Sequence, residues 1–289
     1  MKKLIYIIAI MLTGLSLSAQ VVVTNSAGKF VVIAGKVLVV EVPWTPKDIP
    51  TTAWFDASAS ETITVSAGAV SGWADQSTNN YDLVQLSGSK QPQTGTRTLN
   101  GLNVLDCDGI SFMSHEAFDI STDGNIAVHC VLAHEIINSG RDAIWGMGNS
   151  GFTKNFYVQA QVSGNFNHQF FQSGLGVGTP TPANTPHNGP SVYSTILNST
   201  SGTMTVEVDG KNSVTNGTYI GITDNVNFRV FRQGSFPNLN PQGYMAEYVV
   251  VSDVSDETTD KIEGYLAWKW GLEDNLPVSH LYKYRRPLK

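Results

Sequence analysis

Charge is scarce in this chain: only 15% of its 289 residues are Asp, Glu, Lys or Arg, against about a quarter in an ordinary soluble domain. Gly, Ser, Thr and Asn fill the difference, which is the make-up of many short strands joined by turns. Positive charge is the scarcer sign. A net charge of -6 argues against a nucleic-acid partner, because binding a phosphate backbone rests on clustered Lys and Arg. The one basic cluster, Lys283, Arg285, Arg286 and Lys289, reads as a solvated tail. Cysteine is nearly absent. Cys107 and Cys130 each sit in a strand-like run, on the same alternation face as apolar neighbours (Leu105 for the first, Val128 and Leu132 for the second). They read as buried small hydrophobes or as one disulfide, and no flanking sequence suggests an activated thiolate.

Long apolar runs are missing beyond the first twenty residues, so no later segment reaches the roughly 20 residues a membrane-spanning helix needs. The opening MKKLIYIIAIMLTGLSLSAQ has Lys2 and Lys3, an apolar run from Leu4 to Leu17, and small residues ending at Ala19. That is the layout of a secretory signal peptide cleaved after Ala19, with an uncleaved anchor as the alternative because Leu17 is large for its place before the cut. The expected location is outside the cytoplasm: extracellular, cell surface or periplasm.

Helical periodicity is also rare. Residues 20–50 are valine-rich, punctuated by Gly28 and Gly35, and closed by Pro43, Pro46 and Pro50. They are too few to bury a core and are expected to form a short β stem, a strand pair suited to assembly, ending in a proline-marked boundary. From residue 51 the pattern is strands of four to eight residues: Ile126 to Ala133, Asn155 to Val162, Asn167 to Gln172, Ser191 to Leu197, Met204 to Val208, Val226 to Phe231 and Ala246 to Val251. Turn dipeptides such as Ser201-Gly202, Asp209-Gly210 and Asn216-Gly217 separate them. This predicts an all-β, two-sheet jelly-roll sandwich. The exception is Ser255 to Leu272. Ser255 suits an N-cap, Asp256, Glu257 and Asp260 put negative charge in the first turns, and Gly271 suits a C-cap. Ile262, Tyr265, Leu266 and Trp270 fall at helical spacing. The aromatic cluster EGYLAWKWGLEDNLP is therefore expected to be a packing helix, with Trp270 buried and Trp268 partly exposed, and not a sugar-stacking platform.

The blocks Thr52-Ala-Trp-Phe-Asp-Ala-Ser58, Val70-Ser-Gly-Trp-Ala-Asp-Gln-Ser77, Gly101-Leu-Asn-Val-Leu-Asp-Cys-Asp-Gly109, Ala246-Glu-Tyr-Val-Val-Val-Ser252 and Ile262-Glu-Gly-Tyr-Leu-Ala-Trp-Lys-Trp-Gly-Leu272 resemble the concanavalin A-like lectin and glucanase jelly rolls. The resemblance is to the LamG-like branch common in bacterial surface and phage virion proteins. It implies a jelly roll over residues 51–289 and adds a virion surface to the possible locations. It does not choose among lectins, glycoside hydrolases, adhesion modules and decoration domains. Two departures stand out: Cys107 occupies a usually aromatic position, and the valine-rich stem has no counterpart.

Glucanases of this fold take their acids from an E-x-D-x-x-E strand. The nearest match, Glu207-Val-Asp209-Gly-Lys-Asn212, lacks the third acid and reads as a strand ending in a tight turn. His115, His129, His134, His168, His187 and His280 lack zinc-ligand spacing, and no G-x-S-x-G motif occurs. Related modules often carry structural calcium, and the oxygen-rich candidates here are Asp106, Asp108 and the loop opened by Asp75. For sugar binding, aromatic faces must be mixed with amides and charges on loops. Two stretches offer that: Phe166-Asn-His168-Gln-Phe170, and Arg232-Gln-Gly-Ser-Phe236-Pro-Asn238-Leu-Asn240, with the Pro/Gly/Thr loop 173–190 and His187 as a possible wall. The leading expectation is a non-catalytic, surface-displayed protein binding glycans or another surface polymer. The alternatives are a structural virion or cell-surface assembly protein, self-associating through its N-terminal strands, and a glycoside hydrolase.

Overall fold

The computed structural model describes residues 21–25, 28–33, 36–119, 124–136, 141–148, 156–162, 166–172, 179–180, 189–216, 226–232 and 241–289. The segment 1–19 lies outside them. Within them the chain is strand, turn and one α-helix, Asp256–Trp270. The valine-rich segment forms a three-stranded antiparallel sheet of Val21–Asn25, Gly28–Ile33 and Lys36–Val40, one strand more than the expected pair. All other strands join one curled, continuously hydrogen-bonded antiparallel sheet, an all-β architecture consistent with a sandwich.

Two apolar clusters hold this sheet. The strands Ile126–Ile136 and Gln242–Val251 run side by side at its centre and are buried on both faces, so both read as nearly unbroken apolar runs. One face carries Val128, Cys130, Leu132, Met245, Tyr248 and Val250 into a core with Phe55, Trp73, Phe118, Trp145 and Phe228. The other carries Ala127, Val131, Ala246, Val249 and Val251 against Ile262, Leu266, Ala267 and Trp270 of the helix. Cys107 and Cys130 are both buried in the first core as free thiols.

The helix begins and ends where its chemistry dictates. The Ser255 hydroxyl accepts from the Thr258 amide at 3.3 Å, and Gly271 closes the helix in the left-handed region at φ 70°, a conformation that a side chain would strain. Trp270 is fully buried, and Trp268 keeps partial exposure with its indole N–H donating to the Tyr282 carbonyl at 2.8 Å. Gly264 is in the helix interior because a Cβ there would lie 2.5 Å from Cβ of Tyr282. The C-terminal tail therefore packs directly on the helix backbone.

Residues 42–50, which proline marks in the sequence, pack against this unit. Trp44 donates to the Pro287 carbonyl at 3.0 Å, the Lys289 amide donates to the Val42 carbonyl at 3.0 Å, and Trp44 is buried beside the helix. The basic tail is accordingly less free than its sequence suggests. Lys289 pairs with Asp48 at 2.8 Å, and Lys283 donates to the carbonyls of Glu273 and Asp274 at 3.0 and 2.8 Å.

Candidate functional site

Three strands meet at a cleft of about 310 Å3 on the outer face of the sheet, lined among the described residues by Val84, Gln85, Leu86, Phe112, Ser114, Glu116, Arg229 and Arg232. In the strand Val226–Val230, Phe228 and Val230 enter the core, so alternation turns Arg229 outward. Ser114 pairs directly with both Arg229 and Val84, and Gly146 pairs with Arg229 on its other side. Val84, Ser114, Arg229 and Gly146 thus form one cross-strand row about 14 Å long at ordinary strand spacing. Phe112, Ser114 and Glu116 come to the same face from the next strand by the same alternation.

Arg232 reaches this face only through a backbone irregularity. Continued alternation from Phe228 and Val230 would send it into the core. Instead Phe231 adopts φ 57°, a left-handed conformation that costs a bulky residue about 1–2 kcal/mol. It is fixed there by full burial and by its amide donating to the Ile144 carbonyl at 2.8 Å. This turn drops Phe231 into the core next to Val230 and brings Arg232 back beside Arg229. The Arg232 guanidinium then lies over the Phe112 ring, 4.1 Å from its centroid, a cation–π contact that fixes the plane of the fork.

The electrostatics of the cleft are uneven. Among the described residues neither guanidinium has a hydrogen-bond or ion-pair partner, and Arg232 Nε is buried without one. Burial lowers the pKa of both arginines; the neighbouring Arg229 lowers that of Arg232 further, while Glu116 opposes the shift on Arg229. Gln85 is spent on structure, donating to the Phe112 carbonyl at 3.2 Å and accepting from the Ser87 amide at 3.0 Å, so it holds Phe112 in place. Leu86, 90% exposed, forms an apolar rim.

The other expected residues fall elsewhere. Of the six binding candidates, Arg232 alone has a described side chain. Phe166 and His168 lie on the strand Phe166–Gln172, opposite Val162 and Ala160, with side chains outside the described part. Phe236, Asn238 and Asn240, like His187, lie outside the described residues. Asp75 accepts from the amides of Trp54, Ser77 and Tyr81 at 2.8, 2.8 and 3.0 Å, stapling its loop to the first strand of the domain. Asp106 pairs with Arg97 at 2.9 Å. Asp108 accepts from the Ile110 and Ser111 amides, each at 3.1 Å. The three are not brought together: among the described residues the one such group with ligating atoms within 4.8 Å of one another is Asp260, Glu263 and His280.

That group is better explained as a hydrogen-bonded pin between helix and tail. His280 Nδ1 accepts from the Tyr282 amide at 3.1 Å, so the ring proton sits on Nε2, which faces Glu263 at 3.3 Å and Asp260 at 3.7 Å. A nitrogen carrying a proton has no lone pair for a cation. Behind it, Ser194 gives its hydroxyl proton to Glu263 at 2.6 Å and meets His129 Nδ1 at 2.9 Å. These groups are fully buried, and the serine proton is directed at the carboxylate, so this is no nucleophile. His129, which by alternation could face solvent, is instead buried under the helix. Asp209 and Gly210, at φ 54° and 64°, form the type I′ hairpin turn that their sequence suggests. The Asp209 carboxylate accepts from the Val192 amide at 2.9 Å. A larger cleft of about 520 Å3 beside Trp54 offers no free aromatic face, since Trp54 is 5% exposed and Lys47 lies 5.5 Å from its ring centroid.

No family model matches the chain, and no curated protein matches it. Solved structures do match in fold. Domain 4 of AbnA, a GH43 extracellular arabinanase from Geobacillus stearothermophilus solved with arabinotriose, is 12% identical over 72% of this chain and 95% of its own, with a TM-score of 0.52. A GH54 α-L-arabinofuranosidase is 12% identical over 75% of this chain and 62% of its own, with a TM-score of 0.52. Trypanosoma rangeli sialidase is 11% identical over 76% of this chain but only 34% of its own, with a TM-score of 0.50. At this identity the likeness is one of fold: these are β-sandwich-related folds found in carbohydrate-active proteins, consistent with a concanavalin-like fold.

Proposed function

We propose that the chain is a non-catalytic glycan-binding protein of the concanavalin A-like, LamG-like jelly-roll type, exported and displayed at a surface, with the Arg229–Arg232 cleft as its binding site. The observation that carries this reading is a pair of guanidiniums that have no hydrogen-bond or ion-pair partner among the described residues, one stacked on Phe112, in a cleft that Ser114 also lines and Leu86 rims. Polar groups held ready by a scaffold and left unpaired in the free protein are what a sugar site requires. The arabinotriose bound to the AbnA domain supports a glycan as the ligand class. The cross-strand row is long enough for more than one sugar unit, and display in many copies would raise a weak contact to useful avidity.

A glycan array and polysaccharide pull-downs with the full chain test this. Binding by the wild type that is lost in the Arg229→Ala/Arg232→Ala double variant is expected. Absence of any glycan ligand, or binding indifferent to the double variant, would contradict it.

A second reading, self-assembly, rests on the N-terminal sheet, whose outer strands Val21–Asn25 and Lys36–Val40 each have a partner on one side only among the described residues. Such edges can accept another chain. Size-exclusion chromatography of the chain with and without residues 20–50 tests it: deletion should abolish the oligomer.

A further inference from the structure

We propose that the ligand of the Arg229–Arg232 cleft is an acidic glycan, bound through a sugar carboxylate shared by the two guanidiniums. The inference rests on reading the cleft as a glycan site and specifies its chemistry. Arg229 and Arg232 converge on one cleft in which Glu116 is the only carboxylate among the described lining residues. Two positive charges less one negative leave a local charge of +1 in a chain whose net charge is -6. A single excess positive charge suits one carboxylate per sugar better than a densely sulfated polymer, which the rest of the surface would repel.

Geometry supports the same choice. Arg232 lies against the Phe112 ring at 4.1 Å, which leaves the in-plane N–H edge of the guanidinium to meet a planar acceptor, and carboxylates take such a fork bidentately. Its buried Nε has no hydrogen-bond partner among the described residues. The left-handed Phe231 is the irregularity that puts the second guanidinium beside the first. A backbone conformation that costs energy and brings two like charges together fits a site whose anionic ligand offsets their repulsion. Ser114, between Val84 and Arg229 in the row, has no hydrogen bond to its hydroxyl among the described residues and can serve a sugar hydroxyl.

Two sources of a sugar carboxylate are separable: a uronate polymer and a terminal nonulosonate. Titration calorimetry with the full chain would compare oligogalacturonate with its methyl ester, sialyllactose with lactose, and both acids with chondroitin sulfate and neutral arabinan. At least one acid should bind ten-fold or more tighter than its neutral counterpart. Arg232→Lys, which keeps charge but loses the fork, should weaken that acid at least five-fold. Glu116→Gln, an exposed change with little risk to folding, should tighten it about three-fold. Neutral sugars bound as well as acids, with dependence on the arginines, would overturn the acidic specificity and leave the glycan-binding function standing. Tighter binding of chondroitin sulfate than of either carboxylate ligand, or acid binding unaffected by Arg232→Lys and Glu116→Gln, would overturn it as well. Absence of binding to any of these glycans would overturn both.

Discussion

The indole N–H of Trp270 donates to a carboxylate oxygen of Glu247 at 2.7 Å, deep between helix and sheet. Glu247 is fully buried and also accepts from Trp54 Nε1 at 2.7 Å, Tyr265 OH at 2.9 Å and Lys269 Nζ at 2.6 Å. Desolvation pushes its pKa up, opposed by Lys269. Glu247→Ala would leave these donors unsatisfied and Lys269 with Asp56 as its remaining charge partner, at 2.6 Å. A loss of about 3–5 kcal/mol is expected, the usual cost of breaking a buried pair. Urea unfolding checks it, and a loss under about 1 kcal/mol would show that the network adds little.

His129 gives the protein an acid-sensitive element. Burial lowers its pKa from 6.5 to about 4, so between those values the unfolded chain takes up a proton that the native state refuses. Its contribution to stability is therefore present above pH 6.5 and lost as pH falls toward 4. Asp209 runs the other way: burial raises it from 3.8 to about 6, so its effect makes stability fall as pH rises through that window. The difference between wild type and His129→Asn isolates the histidine. Thermal melts from pH 7 to pH 4 should show a smaller acid-side drop in the variant, and identical slopes would refute the assignment.

Both cysteines should be inert in the folded protein. Burial pushes each thiol well above its usual pKa, so neither forms the thiolate that reacts. A disulfide-exchange reagent should label neither under native conditions and both of the chain's two cysteines in guanidinium. Rapid native labelling would contradict their placement, and absence of labelling in denaturant would indicate a disulfide.

Gly264→Ala reverses the ordinary rule for helices. Alanine is worth about 1 kcal/mol over glycine in an open helix interior. Here its Cβ would meet Tyr282 at Cβ and Cγ, 2.5 and 2.7 Å away, and the tail must lift. Net destabilisation with a lower melting temperature is expected, while a more stable variant would mean that the tail yields freely.

The helix was legible because its signals are local: Ser255, the acidic first turn and Gly271 each act within a few residues. The central strands were legible for the related reason that apolar runs and glycine turns mark them, and the alternation faces of Cys107 and Cys130 followed. The binding cleft was half legible. Arg232 stood out in its loop, but Arg229 did not, because strict alternation from Phe228 puts Arg229 and Arg232 on opposite faces. Only the left-handed backbone at Phe231 unites them, and nothing in a bulky apolar residue announces that conformation. Glu247 was equally hidden, since its partner Trp54 is 193 positions away and its own stretch reads as plain strand. Asp75, Asp106 and Asp108 show the converse: their oxygen-rich surroundings serve a loop staple, an ion pair and a local turn.

The most direct measurement is affinity electrophoresis of the full chain through gels containing an acidic polysaccharide or its esterified form, with Arg229→Ala, Arg232→Ala and the double variant run alongside. The expected result is retardation of the wild type in the acidic gel that is reduced in each single variant and abolished in the double variant, with all four proteins equally folded by circular dichroism. Equal mobility of wild type and double variant in every gel would contradict the assignment of this cleft as the binding site.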